Sequence, residues 1–396
     1  MTPVVLRDFV RTWALASCVA QAFPVSGFLV SLPINGQERI QMRDSWIQKP
    51  LPKPEEIDGL IRSAVRAGAD DRKLRDLASK GTEELLTAPE VLFAWQRSWP
   101  EYANVPDLIL AVKTGYEQKV RQLVNRGDDP NMTGEDGATP LIVAAANGRE
   151  EIVRDLIGVG ARVNTQASDG QTALMLAAYA RTTPIAKLLL EARADANIFA
   201  NDGSTALILA ARSGNLDLVN LLLQRGSIVN ARAKNGWTPL MHAAQAGHPN
   251  IVEQLIQWGA PTDTRDDYGQ TLLMLAAHSP SVLKILLSRA ADINHRDLDG
   301  ETALMKAVAD DQSLSPGNFE AVSLLLAHGA DPNLQDNEGR TALMKACNYD
   351  DSGIVRLLIE HGAYRQIEDR QGRTPLSIAI LAGNHSVINE LKTGGE

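Results

Sequence analysis

The sequence predicts an all-α fold, a stack of short helix–turn–helix repeats behind a small separate helical module. Glycine recurs as Gly137, Gly170, Gly203, Gly236, Gly269, Gly300, Gly339 and Gly372, at steps of 33, 33, 33, 33, 31, 39 and 33. Two residues after each glycine stands a threonine, from Thr139 and Thr172 through to Thr374, and two further on a leucine, from Leu141 to Leu376. A period of this size marks units too small to bury a core alone, which become stable by stacking on one another.

Residues 235 to 265 show how one unit is built. Asn235-Gly236 is a turn signal, because both residues tolerate positive φ. Thr238 suits a helix N-cap and Pro239 the first helical position, where no N–H is needed. Leu240, Ala243 and Ala244 give a short helix with a small-residue face that lets a neighbouring helix come close. Gly247 ends it. Ile251, Val252, Leu255 and Ile256 then recur at helical spacing in a second helix, which Gly259-Ala260 stops.

These motifs resemble the ankyrin repeat. The text that matches its T-P-L-H-x-A signature is Thr139-Pro140-Leu141, Thr238-Pro239-Leu240-Met241-His242-Ala243 and Thr374-Pro375-Leu376. The Gly-Ala-x-x-Asn ending matches at Gly160-Ala161 to Asn164 and at Gly329-Ala330 to Asn333. The resemblance covers about residues 104–396, in roughly nine units, and implies an ankyrin-repeat solenoid whose helix pairs are joined by short β-hairpin turns. Residues 1–22 and 23–103 lie outside it. The chain also departs from the pattern. The slot of the family's usual histidine holds Met175, Met241, Met274, Met305 and Met344, or Ile142, Ile208 and Ser377, so the threonine–histidine hydrogen bond is not expected. Arg181 stands where the mid-unit glycine should be.

Residues 1–103 hold 13 basic and 13 acidic residues, so the whole net charge of −9 rests on residues 104–396. That argues against nucleic acid, whose binding is driven by basic patches. It suits a basic protein partner, or simply keeps a long monomeric stack soluble. Cys18 and Cys347 stand in unrelated contexts, and no Cys/His cluster has zinc-site spacing, so neither a disulfide nor structural zinc is expected. Cys347 takes the slot of a small buried alanine. Units at both ends read as caps, the first with polar Lys113, Glu117, Gln118 and Lys119.

At the N-terminus, Arg7 and Arg11 precede an uncharged, mostly apolar run from Thr12 to Ala20. Ala20-Gln21-Ala22 then fits a small-x-small cleavage site before Phe23. Together these resemble a secretory signal peptide. Leu15-Ala16-Ser17-Cys18 resembles a bacterial lipobox, in which Cys18 would carry the lipid. Export to a periplasmic or external space is the favoured expectation; a cytoplasmic start and a poor membrane anchor are the alternatives. Lys49-Pro50-Leu51-Pro52-Lys53-Pro54 is a proline-rich hinge. Beyond it, Ile57, Leu60, Ile61, Ala64 and Val65 share a helical face, Leu74 and Leu77 suggest a second helix, and Leu85, Leu86, Val91, Leu92, Trp95 and Trp99 a third that Pro89 divides. Trp95 and Trp99 are read as packing against the first repeat.

No nucleophile elbow, zinc-protease helix, phosphate loop or nucleophile–base pair is found, so no enzyme activity, cofactor or metal is expected. Asp310-Asp311 and Asp350-Asp351 read as solvated or partner-facing pairs. The expected function is a non-enzymatic protein–protein scaffold. An inhibitor or immunity protein that masks one enzyme is the alternative, and an enzyme housed in residues 23–103 a third.

The resemblance implies a partner site on the concave face formed by hairpin tips and first helices. Carried onto this chain, it places Tyr179, Arg212, Lys234, Trp237, Gln245, Asp267, Tyr268, Lys306, Lys345, Asn348 and Tyr349 there. Aromatic residues and arginine are the usual anchors of interfaces. Trp237, at a polar tip, has no packing reason visible in the sequence. Lys306 and Lys345 take a slot held elsewhere by Val143, Leu176, Leu209 and Leu275, so the inner face turns polar toward the C-terminus. The Gly269 unit is two residues short near His278-Ser279-Pro280, and the Gly300 unit carries about six extra within 310–320, where added loop length costs little.

Overall fold

The computed structural model describes residues 54–66, 69–80, 88–97, 104–289, 292–310, 315–316, 318–349 and 351–393. The N-terminal segment, Cys18, Trp99 and the side chain of Trp95 lie outside the described residues. The chain forms two compact units, Met1–Ala206 and Leu207–Glu396.

The first unit opens with α1 (Pro54–Arg66), α2 (Asp71–Lys80) and α3 (Pro89–Arg97). The expected apolar face closes on itself: Ile61, Ala64, Leu74, Ala88 and Val91 form a buried cluster, with Ile57, Leu60, Val65 and Leu77 at its margin. Pro89 begins α3, as suits a residue without an N–H, and residues 81–87 before it lie outside the described residues. Helix α3 packs on α4 (Asp107–Thr114), the first repeat's inner helix, so the module does sit on the repeats. Phe93 meets Tyr116 edge-on at 6.2 Å, and Arg97 reaches the Val105 carbonyl at 2.7 Å. Lys113 is buried, only 4 % exposed, which corrects its reading as part of a polar cap.

Helix pairs follow in order: α4 with α5 (Glu117–Asn125), α6 (Pro140–Ala146) with α7 (Glu150–Gly158), and α8 (Ala173–Tyr179) with α9 (Thr183–Glu191). Ala144, Ala145, Ala177 and Ala178 are fully buried where α6 and α8 press together. Helix α10 (Ala206–Ser213) begins where the two units divide.

The second unit continues with α11 (Leu216–Gln224), α12 (Pro239–Gln245), α13 (Pro249–Gln257), α14 (Leu272–Leu275), α15 (Pro280–Leu287) and α16 (Ala303–Val308). The antiparallel pair β1 (Ala309–Asp310) and β2 (Ser315–Pro316) then falls inside the inserted segment. It is followed by α17 (Phe319–Ala327), α18 (Ala342–Ala346), α19 (Ser352–Glu360), α20 (Pro375–Ala382) and α21 (His385–Thr393). Among the described residues the fold is all-α apart from those two-residue strands and an isolated antiparallel bridge between Arg265 and Thr271. Trimming the Gly269 repeat leaves α14 four residues long.

Each inner helix starts as expected. Thr139, Thr172, Thr238, Thr302, Thr341 and Thr374 accept the backbone N–H three residues on at 3.3 Å. In the short repeat Thr271 does the same at 3.4 Å, and the Met274 sulfur accepts the Thr271 N–H at 3.4 Å. Arg181 adopts the left-handed φ of the glycine it replaces, 61°, and so does Arg193, 66°, at the end of the same repeat. In the last repeat Ile380 and Leu381 are 54 % and 76 % exposed.

Candidate functional site

Each hairpin tip is hydrogen-bonded twice, within itself and to its neighbour. Within a tip, the residue three before the opening glycine donates to the residue one after it, as in Ala167 to Gln171 at 2.9 Å and Asp336 to Arg340 at 2.9 Å. Between tips, the residue two before one glycine donates to the carbonyl just before the preceding glycine. Ser168 to Asp136 and Asn201 to Asp169 are such bonds in the first unit. Asp267 to Asn235, Leu298 to Tyr268, Asn337 to Asp299 and Arg370 to Glu338 are those in the second. The glycine requirement follows from this approach. Gly170 and Gly339 have φ of 83° and 80°, and a Cβ there would lie 2.7 and 2.9 Å from the next tip's backbone nitrogen.

Two carboxylate designs hold the tips. In the first unit an aspartate just before the glycine caps its own turn: Asp136, Asp169 and Asp202 accept the N–H two residues on, at 2.8–3.0 Å. Burial pushes the Asp169 carboxyl up, because its second oxygen is buried without a hydrogen-bond donor. In the last four repeats a buried aspartate three before the glycine does the work. Asp266, Asp297, Asp336 and Asp369 each accept two backbone N–H groups on one oxygen. The other oxygen takes a side-chain donor: Trp237, Lys306, Arg340 and Arg373 respectively. This Asp-x-x-Gly spacing is present in the sequence, although its role shows only with the donors in place.

That arrangement revises several of the candidate residues. Trp237 is half-buried, with its indole Nε1 on Asp266 Oδ2 at 2.9 Å and its ring 4.9 Å from His242, so it has a packing reason after all. Lys345 is buried and paired with Glu301; Lys306 pairs with Glu301 and, at 3.2 Å, with Asp297. These lysines close an internal ion cluster rather than reaching toward a partner. Burial pushes the Glu301 carboxyl up, but Lys345 and Lys306 override it and hold it below the usual carboxylate range. Burial pulls Lys306 down, and Glu301 and Asp297 more than offset this. Asp351 caps α19 through the N–H groups of Gly353 and Ile354, rather than standing free. Asp311 and Asp350 lie outside the described residues.

Gln245 and Asn348 are exposed at the ends of their inner helices; Arg212 and Tyr349 are half-buried in the corresponding slots, as is Tyr179 in the first unit. At the second unit's tips Lys234, Asp267 and Tyr268 are exposed, Asp267 lying 3.5 Å from Arg232. Leu298, 69 % exposed beside Tyr268, is a surface residue that a search for aromatics and arginines passes over. Four histidines place a ring nitrogen against a backbone carbonyl: His248 on Arg212, His295 on Gly269, His328 on Leu324 and His361 on Leu357. Cys347 is buried, and burial pushes its thiol up to about 12.

A family model described as ankyrin repeats (3 copies) matches residues 108–200, 144–233, 183–266, 228–297 and 312–395. The protein belongs to the ankyrin-repeat family. Ankyrin repeats are protein-interaction modules, typically without enzymatic activity. A search of curated proteins finds nothing that matches the chain. Among the described residues no helix is long and apolar enough to cross a membrane.

Proposed function

We propose that this ankyrin-repeat protein is a non-enzymatic docking protein that holds a partner protein against its inner helices and hairpin tips. The observation that carries this reading is a division of labour along each repeat. After the first repeat, whose α4 begins with Asp107, the inner helices α6, α8, α10, α12, α14, α16, α18 and α20 contain no acidic residue. Their buried faces build the stack, and their ends offer Gln245, Asn348 and Leu381 to solvent. Among the described residues, four histidines lie against backbone carbonyls, buried aspartates hold turns, and Lys306 and Lys345 pair with Glu301.

The test begins with the full chain as bait in an extract of its native host. The captured protein is then titrated calorimetrically. Gln245→Arg combined with Asn348→Arg is expected to weaken binding by roughly tenfold or more, as loss of interface complementarity does. Glu253→Lys, on the exposed side of α13, leaves it unchanged. Equal loss from both faces, or no captured protein, overturns the proposal.

A further inference from the structure

Tyr268 and Leu298 sit at the tips of adjacent hairpins, 62 % and 69 % exposed, and the Leu298 N–H donates to the Tyr268 carbonyl at 3.0 Å. Their slots are polar everywhere else. The residue just before the opening glycine is Asp136, Asp169, Asp202, Asn235, Asp299, Glu338 or Gln371 in the other repeats. The residue two before it is glutamate, serine, asparagine, lysine, aspartate, asparagine or arginine. The two apolar exceptions are therefore neighbours joined by one backbone bond. Packing does not require them, since polar residues fill the same slots without disturbing the ladder. Adjacent exposed apolar side chains with a polar surround are the usual mark of a docking point.

Acidic residues outnumber basic ones around them, although Arg232 and Lys234 on the preceding tip and Arg265 are exposed cations. Segments 261–270, 292–301 and 331–340 carry ten acidic and three basic residues. Asp266, Asp297, Asp336 and Glu301 are buried and neutralised or capped internally. Asp267 beside Tyr268, Asp299 beside Leu298 and Glu338 on the next tip remain exposed, although Asp267 already lies 3.5 Å from Arg232 and Glu338 2.7 Å from Arg340. Of the bases, Arg340 is bound to Asp336 and Glu338 at 2.8 and 2.7 Å, and the Arg296 Nε donates to the Gly300 carbonyl at 3.2 Å.

We propose that this edge docks a basic segment of a partner protein, which rests an aromatic or large aliphatic side chain on Tyr268 and Leu298 while flanking lysines or arginines face Asp299 and compete with Arg232 and Arg340 for Asp267 and Glu338. This rests on the protein-docking function above and assigns the chemistry of what is docked. The apolar contact supplies the anchor, and the carboxylates supply orientation and a salt-dependent on-rate.

A phage-displayed library of random peptides panned against the full chain tests it. The enriched sequences are expected to share an aromatic or leucine residue between lysines or arginines. A labelled synthetic copy of the best one, followed by fluorescence anisotropy, should lose roughly tenfold or more in affinity on Tyr268→Ser or Leu298→Ser, and weaken as salt is raised. The thermal midpoints of both variants should stay at the wild-type value, because both side chains are exposed. A neutral or acidic consensus overturns the tip site. So does a peptide indifferent to both substitutions but lost with Gln245→Arg and Asn348→Arg, a result that leaves the docking function itself standing.

Discussion

The indole Nε1 of Trp237 donates to Oδ2 of Asp266, 2.9 Å away on the following hairpin, and this bond joins two ways of building a tip. Upstream, each turn is capped by the residue just before its glycine; from Asp266 onward a buried aspartate does this and needs a donor for its second oxygen. Trp237→Phe keeps most of the ring and removes that donor, leaving a carboxylate oxygen of a residue 6 % exposed unpaired. The expected loss is about 1–3 kcal/mol in a urea titration, with more for Trp237→Ala, which also removes the contact with His242. A loss no larger than that of the exposed control Lys234→Ala would refute the bracing role.

The same bond shows where sequence reading ends. Turns, caps and helix pairs were legible because their partners lie within a few residues: Thr238 caps the N–H of Met241, and Gly236 frees its own turn. Trp237 was not, because Asp266 is 29 positions away. Lys345 looked like an inner-face cation because Glu301 is 44 positions away. Leu298 was overlooked because an isolated leucine is unremarkable until the ladder sets it beside Tyr268.

The Glu301 cluster sets a pH window. The depressed carboxyl contributes stability that is complete above the ordinary glutamate pKa of about 4.3 and fades as pH falls through its lower folded value. Raised Lys306 contributes stability that is complete below the ordinary lysine pKa of about 10.4 and fades as pH rises through its higher folded value. Glu301→Gln removes the carboxylate paired with buried Lys345 and should cost about 3–5 kcal/mol at neutral pH. That difference should shrink in acid below about pH 4. Glu301→Gln with Lys345→Leu should recover most of it, since Gln171 and Leu176 fill these slots in an earlier repeat. A pH-independent difference between wild type and Glu301→Gln would sink the assignment.

Arg193 carries a left-handed φ of 66° in a slot held elsewhere by Gly160, Gly226, Gly259, Gly329 and Gly362. A side chain in that conformation costs roughly 1–2 kcal/mol, part of which glycine returns through its freer unfolded state. Arg193→Gly should therefore stabilise the protein by about 0.5–1 kcal/mol. Gly160→Arg should do the reverse through the backbone alone, because a Cβ there meets no atom within 4 Å. Chemical denaturation of the two variants checks the pair, and a destabilising Arg193→Gly would contradict it.

Export predicts a processed N-terminus. Intact-mass measurement on protein from its native host should show a chain beginning at Phe23, or at a lipid-bearing Cys18. Retention of Met1 or Thr2 would rule out both.

Stability along the second unit should dip at its irregular repeats. A stack holds through nearest-neighbour contacts, so the joint between two atypical repeats is its weak point. Helix α14 has four residues and α16 six, where α12 has seven and α11 and α13 nine. Short helices leave a larger share of their amides without an internal partner. Two of the fastenings across this region are surface ones: Asn318 Nδ2 to the His278 carbonyl at 3.3 Å and Lys284 to Glu320 at 2.8 Å, the latter between side chains more than half exposed. Exposed ion pairs of that kind contribute about 0–1 kcal/mol. Local opening is therefore expected to begin within residues 272–327, with amides of α14 and α16 exchanging before those of α11 and α13. Hydrogen-exchange mass spectrometry on the free chain reads this directly. Raising salt should speed exchange at α15 and α17, where the Lys284–Glu320 pair is screened, and leave α11 unchanged. Slower exchange in α14 and α16 than in α11 and α13 would show that the insertion and the deletion have been absorbed without weakening the stack.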